Sequence, residues 1–324
     1  MLILIRGAGD IASGIALRLY RAGMDVVMTE IPHPTAIRRT VCFSEALRLG
    51  TEIMVEDVTA VPVIQKPAEK SIRSLTDKDA ESLALNPQSV TIGKTDGGEY
   101  AYAERNEEEM RGQILAILAS RKIAVIEDPD ASSKEWLLPD ALVDAILAKK
   151  NLGTRITDAP AVVGVGPGFT AGLDCHAVVE TKRGHTLGRV IYEGSAIPNT
   201  GVPGNIGGYT TERVLRAPAA GIFRTVREIG DHVEAGEAAA YVEQKDGSRV
   251  PLCCNIGGVL RGLLPDGTLV EKEMKSGDVD PRDVGENCYT ASDKALSVGG
   301  GVLEAVLNLT GRLRISRHPA YEKS

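Results

Sequence analysis

Residues 2–5 form an unbroken apolar run, which ends at Arg6 and the turn Gly7-Ala8-Gly9. Ile11, Ile15 and Leu19 then recur every four residues, one stripe of an amphipathic helix over 11–20 that Gly23 ends. Residues 25–30 (DVVMTE) are a second strand-like run. Strand, helix and strand within about 30 residues predict a right-handed βαβ unit with parallel strands. Further apolar runs at 61–64, 123–127 and 161–164 predict more strands. The pattern over 139–149 predicts a helix that buries Leu142, Ala145 and Ile146. The stretch RNEEEMRGQILAILASRK predicts a charged helix start with an apolar stripe at Ile114, Leu115 and Leu118. Before it, residues 66–106 are polar and weakly periodic, and read as an insertion or lid that extends over about 66–122. The alternation of strands and helices predicts an α/β architecture: a doubly wound, Rossmann-like parallel sheet over residues 1–160.

Past Gly164 the texture changes to short β-type runs broken by Gly and Pro, and 161–211 reads as a glycine-rich loop and β linker. An internal repeat follows. AAGIFRTVREIGDHVEAGEAAAYV aligns without a gap on IGGVLRGLLPDGTLVEKEMKSGDV, pairing Gly221 with Gly258, Gly230 with Gly267 and Val233 with Val270, each 37 positions apart. A strand-rich unit that cannot bury its apolar face alone pairs with its copy, which predicts a two-repeat β domain over 212–282. Residues 283–324 read as a carboxyl-terminal helical tail. The repeat resembles the quasi-symmetric halves of biotinyl and lipoyl domains, a resemblance that implies a small β-barrel or sandwich. Those carriers modify a lysine on the hairpin between the halves. Lys245, in VEQKDGSRV, lacks both the Met-Lys-Met and the Asp-Lys-Ala setting and reads as a surface turn lysine.

With 324 residues, the chain is long enough for two domains or more with separate cores. A formal net charge of −7 and only 4% aromatic residues argue against nucleic acid and anionic membrane surfaces as partners. Arg6 interrupts the first apolar run too early for a signal peptide, and no run approaches the roughly 18 apolar residues of a membrane span, so a cytoplasmic location is expected. The five cysteines show no CxxC spacing and read as reduced structural thiols.

Two glycine-rich segments carry the candidate chemistry. Gly7-Ala8-Gly9-Asp10-Ile11-Ala12 matches G-x-G-x-x-A between a strand and a helix. Gly7 allows the tight turn, Gly9 lets backbone approach a pyrophosphate, Asp10 and Ile11 open the helix, and Ala12 keeps helix and strand close. Glu30, at the end of the second strand, can take a ribose hydroxyl, while Arg38 and Arg39 leave room for the extra phosphate of NADP. The second segment, VGPGFTAGLDCHAVVETKRGHTLGRVI, sets the Gly166–Gly168 loop after a strand. If 174–181 is extended, Asp174, His176 and Glu180 share one face, and the Arg183-Gly184 turn brings His185 near. Asp174, His176 and His185 are thus candidates for proton transfer near neutral pH. The spacing matches no zinc motif, and no metal site is predicted.

Taken with RGAGDIASG, PDALVDAILAKKNLGT, PNTGVPG, GGVLRGLLPDGTLV, SGDVDPR and SDKALSVGGGVLEAV, that segment makes the chain resemble the YqeB-type accessory proteins of selenium-dependent molybdenum hydroxylase systems. The resemblance implies a role in maturing a xanthine-dehydrogenase-like molybdenum hydroxylase, which would be the partner, and the handling of a molybdopterin-type cofactor or its selenium or sulfur ligand. Glycine loops suit the phosphates of NAD, NADP and molybdopterin alike. The alternative is an autonomous NAD(P)-dependent oxidoreductase with a small substrate beside His176. No Tyr-x-x-x-Lys pair is evident for hydride transfer, which favours the accessory role.

Overall fold

The computed structural model describes residues 1–64 and 107–312, and the backbone of two strands between them. In chain order the first strands are β1 (Leu2–Arg6), β2 (Asp25–Glu30), β3 (Ile53–Val55), β4 (Val58–Pro62), β5 (Val90–Lys94), β6 (Tyr100–Glu104), β7 (Ile123–Glu127), β8 (Ala141–Asp144), β9 (Ala161–Val165), β10 (Thr170–Ala171), β11 (Ala177–Val179), β12 (Val190–Ile191) and β13 (Gly194–Ser195). Nine of them make one sheet in the order β12-β11-β9-β8-β1-β2-β7-β4-β3. The run from β11 to β4 is parallel, and β12 and β3 close the two edges antiparallel. β5 pairs with β6, and β10 with β13, as separate ribbons.

The central strands are buried on both faces, so successive residues enter different cores. Ile3, Ile5, Met28, Val143 and Val163 join Ile15 and Leu19 of the helix Asp10–Arg21 and Val298 and Val302 of the helix Asp293–Leu309. On the other face Leu4, Val27, Ile126, Leu142 and Val162 meet Met110, Ile114 and Leu118 of the helix Glu107–Ala119. The stripe expected on that helix holds at Ile114 and Leu118. Leu115 is exposed, and Met110 takes the inward place one turn earlier.

Three expectations change. Residues 141–144 are the strand β8, not part of a helix over 139–149; a short apolar run between β1 and β9 satisfies either period, and here both faces are buried. Of the expected insertion 66–122, residues 66–89, 95–99 and 105–106 lie outside the described residues, whereas the helix Glu107–Ala119 packs on the sheet as one of its layers. The assigned linker 161–211 supplies β9, β11 and β12 to the large sheet, and the helix of the carboxyl-terminal segment covers that sheet beside the first helix instead of trailing from the fold.

The two copies of the repeat are built from matching short strands. Its strands are β14 (Val214–Arg216), β15 (Gly221–Thr225), β16 (His232–Val233), β17 (Ala238–Glu243), β18 (Arg249–Cys253), β19 (Gly258–Leu263), β20 (Leu269–Val270) and β21 (Lys275–Asp280). β15, β16 and β17 begin 37 residues before β19, β20 and β21. They form two four-stranded sheets, β14-β21-β19-β16 and β18-β17-β15-β20, each containing strands from both copies. Phe223, Val242 and Leu252 of one meet Leu215, Leu260 and Val279 of the other in a single core. Gly230 and Gly267, the matched turn glycines, both have left-handed φ, 104° and 82°. This β unit seats on the segment after β2, where the Leu263 N–H donates to the Ile37 carbonyl (2.8 Å) and Arg39 Nε to the Leu263 carbonyl (2.8 Å).

Candidate functional site

The strand order reverses at β1: the chain passes to β2 on one side and returns as β8 on the other. Crevices outside the carboxyl ends of strands at such a reversal are where open α/β sheets bind ligands. Gly7 stands there with φ of 102°, and a Cβ on it would lie 3.2 Å from the backbone of Ala145, beyond β8. Glycine therefore both makes the turn and lets the two strand ends close up. At Gly9 a Cβ would meet nothing within 4 Å. This glycine is not needed to fill or spare internal space, so its surface is left for a ligand. Gly9 caps the helix Asp10–Arg21 without any side-chain hydrogen bond to the first turn. That leaves first-turn N–H groups and the positive end of the helix dipole facing the crevice.

Glu30 reaches back to this loop. Its Oε2 accepts the Ala8 N–H (2.9 Å) and its Oε1 the Ile31 N–H (2.8 Å). Burial pushes its carboxyl above the ordinary range, and the two backbone N–H groups hold it back only in part. Each oxygen keeps a lone pair, so a ribose hydroxyl can still donate to it. Because the folded state favours the neutral form, Glu30 supports stability at low pH and loses that support as pH rises through its raised folded pKa. The stability of Glu30→Gln relative to the wild type should therefore improve as pH rises from about 4 and level off once pH passes the raised folded pKa. Urea titrations at several pH values check this, and a flat difference would mean that the carboxyl titrates alike folded and unfolded.

The first helical turn is also occupied by protein charge. Asp10 receives Arg38 through both carboxylate oxygens (3.0 and 3.1 Å), and Arg38 further donates to the carbonyls of Asn287 and Thr290. Arg38 is buried, so it ties the loop to the later chain and is not free for a 2′-phosphate. Arg39 is spent on Leu263. Ile11 and Ala12 are buried in the core beneath the loop, so their role is to seat the helix. Ser44 adds a lid: its N–H donates to the Ala8 carbonyl (3.0 Å), while Phe43 N–H donates to Ser13 Oγ (2.9 Å). Among the described residues, the buried hydroxyls of Thr29 and Ser44 have no hydrogen-bond partner.

On the opposite face of the sheet at this same edge, Arg6 is buried and donates to Asp144 (3.3 Å), Thr154 Oγ1 (3.2 Å) and the carbonyls of Leu152 and Pro129. Thr154 Oγ1 in turn donates to Asp144 (2.6 Å). This closed network braces β1 against β8 beneath the crevice.

The second glycine loop lies on the carboxyl edge but is packed shut. A Cβ on Gly166 would come within 2.8 Å of Thr181 Oγ1, and one on Gly168 within 2.6 Å of the Lys150 backbone. Its expected partners lie elsewhere. β11 runs parallel to β9, so Asp174 and His176 stand before its amino end, and only Glu180 follows its carboxyl end. His176 Nδ1 accepts the Val162 N–H (3.0 Å), capping β9 at its start. Asp174 accepts the Thr170 N–H (2.8 Å) and an Asn151 amide hydrogen (3.3 Å), closing a turn. His185 is exposed on a separate turn. Asp174, His176 and Glu180 would share one face only if 174–181 were a single strand; here the extended stretch is 177–179. Among the described residues, no three His, Cys, Asp or Glu side chains are grouped to hold a metal ion.

Sequence reasoning passed over two lysines and an ion pair from the far end of the chain. Lys275 opens β21, and Lys294 lies in the first turn of the last helix; both are electrostatic neighbours of Asp10. Arg183 pairs with Asp293 in that turn (2.6 Å). No local motif marks these lysines.

No family model matches the chain. It is 45% identical over 308 residues to a protein of Escherichia coli K12 described as "Uncharacterized protein YqeB", covering 95% of this chain and 48% of that protein. Likeness to YqeB thus extends over nearly all of this chain, in keeping with the resemblance its motifs carry, and the chain spans about half the length of that curated relative. Among solved structures, an aspartoacylase family protein from Mesorhizobium loti aligns over 47% of this chain and 60% of its own, with 9% identity and a TM-score of 0.23. The product-bound ectoine utilization protein EutE (DoeB) from Ruegeria pomeroyi aligns over 86% and 84%, with 11% identity and a TM-score of 0.23. A succinylglutamatedesuccinylase/aspartoacylase from Rhodobacter sphaeroides aligns over 21% of each chain, with 22% identity and a TM-score of 0.19. Among the described residues, no helix is long and apolar enough to cross a membrane.

Proposed function

We propose that the chain binds a phosphate-bearing cofactor, either a nicotinamide dinucleotide (NAD or NADP) or a molybdopterin-type cofactor, at the Gly7–Gly9 loop. In this reading it assists the cytoplasmic maturation of a selenium-dependent, xanthine-dehydrogenase-like molybdenum hydroxylase. One observation carries the binding step: the open surface over Gly9, at an uncapped helix start beside the reversal of strand order. The doubly wound sheet is then a Rossmann-like carrier of the cofactor, with Glu30 receiving a sugar hydroxyl. The β unit, lipoyl-like in its interleaved strand order, serves as the contact module for the hydroxylase. The accessory role rests on the motif resemblance alone.

Gly9 has φ of −74° and free space at its Cβ, so Gly9→Val is compatible with the fold and should cost about 1 kcal/mol as a poor helix cap. Its branched side chain projects where the phosphate would lie. In titration calorimetry the wild type should bind NAD, NADP or a molybdopterin-type cofactor, and Gly9→Val should bind at least tenfold more weakly. Activation of the apo-hydroxylase should fall in parallel. Absence of binding to all three would refute the reading.

A further inference from the structure

The segment from Glu30 to Ser44 starts at the carboxyl end of β2 and is fastened to the glycine loop at both its ends. At its start Glu30 Oε2 accepts the Ala8 N–H (2.9 Å), and at its finish the Ser44 N–H donates to the Ala8 carbonyl (3.0 Å). Both backbone groups of Ala8 are therefore held by this one segment. Phe43 adds a third tie: its N–H donates to Ser13 Oγ (2.9 Å), which in turn donates to the Ala8 carbonyl (3.1 Å).

The middle of the same segment is fastened to the β unit. Leu263, at the end of β19, gives its N–H to the Ile37 carbonyl (2.8 Å) and accepts Arg39 Nε on its own carbonyl (2.8 Å). Thr40 Oγ1 donates to the Cys288 carbonyl. Ile37 packs against the core of the β unit, whereas Val41 and Phe43 are buried in the core of the large sheet beside the first helix. Arg38 stands between the two sets of ties. Its guanidinium takes both oxygens of Asp10 (3.0 and 3.1 Å) and donates to the carbonyls of Asn287 (2.9 Å) and Thr290 (3.1 Å). Arg38 is buried, so a shift that breaks either set leaves a buried cation short of partners, which is costly.

We infer that residues 30–44 couple the glycine loop to the β unit: the seating of the β unit sets the conformation of residues 7–10, with Arg38 as the positioning residue. Such coupling is reciprocal, so a change at either end is felt at the other. A protein that grips and shifts the β unit thereby acts on the loop, and occupancy of the loop acts on the β unit. The contacts alone carry the coupling; that the coupled loop receives a cofactor rests on the reading above. Gly262, on β19, is the handle. A Cβ there would lie 3.2 Å from the Ile37 carbonyl oxygen. Gly262→Ala thus presses on the middle of the segment from the β-unit side and leaves the loop untouched.

Amide hydrogen exchange on the whole, ligand-free chain is the measurement. Gly262→Ala should speed exchange at Leu263 and, by about tenfold, at Ala8, Phe43 and Ser44. Thr40→Val removes the bond to the Cys288 carbonyl and should act in the same direction, more weakly. From the loop end, Ser13→Ala strips the Phe43 N–H of its acceptor and should speed exchange at Leu263. The His176 N–H, bound to the Val162 carbonyl (2.8 Å) at the amino end of the sheet, should exchange at the wild-type rate in all three variants. Faster exchange at Leu263 with Ala8 and Ser44 unchanged overturns the inference. Equal acceleration at His176 also overturns it, because the fold would then be loosened throughout. Calorimetry with NAD, NADP and a molybdopterin-type cofactor separates this result from the cofactor reading. Binding without exchange transmitted along the segment leaves that reading and removes the coupling; transmitted exchange without binding does the reverse.

Discussion

Asp278→Ala should destabilise the protein by about 3 kcal/mol, near the lower end of what is lost when one member of a buried ion pair is removed. Asp278 lies on the outer face of the β unit, 2% exposed, between the guanidinium groups of Arg213 and Arg261, each 7% exposed. Removing the carboxylate leaves Arg261 with Asp280, but leaves Arg213 with a single donation to the Gly204 carbonyl (3.3 Å). Arg213 Nε already lacks a partner, so that side chain has no spare contact to fall back on. The penalty is the uncompensated buried charge, more than the lost attraction. Asp283→Asn makes the comparison: Asp283 is half exposed beside His232, and loss of its charge, with a side chain that still suits its left-handed φ of 57°, should cost about 0.5 kcal/mol or less. Urea unfolding of both variants checks the contrast. A loss below 1 kcal/mol for Asp278→Ala would mean that water reaches Arg213.

The opening of the chain was legible because local pattern and tertiary role coincide there. Residues 2–30 run strand, helix, strand, with the apolar stripe of Ile11, Ile15 and Leu19 facing the sheet. The β repeat was legible for a related reason: each copy carries the same strands and turns, and pairing the copies is the only way to bury both apolar faces. Residues 139–149 were misread because Leu142 and Val143 enter two different cores, and a strand buried on both sides leaves no alternation to detect. His176 was misplaced for want of one fact, the direction of β11. Parallel pairing with β9 puts that histidine at the amino end of the sheet, away from the glycine loop, where it serves as a strand cap. The partners of Arg38 carried no signal, since Asp10 and the carbonyls of Asn287 and Thr290 meet it only after folding. Much of the candidate site is therefore tertiary. The glycine loop can be read along the chain, but its fastening cannot.

The last helix is seated on the sheet through close glycine contacts. Gly299, Gly300 and Gly301 lie together in this helix, but only two of the three touch the rest of the fold closely. A Cβ on Gly301 would stand 2.1 Å from the Gly188 carbonyl oxygen, and one on Gly299 2.9 Å from the Gly14 carbonyl oxygen in the first helix. A Cβ on Gly300 would meet nothing within 4 Å. By helix propensity alone, alanine should stabilise every one of these positions by about 0.8–1 kcal/mol. Gly300→Ala should show that gain. Gly301→Ala should instead lose about 2–3 kcal/mol, because the obstructing atom is backbone and the helix must lift away from the turn before β12. Thermal unfolding of the two neighbours decides the matter. A Gly301→Ala protein as stable as Gly300→Ala would show that the helix does not press on residue 188.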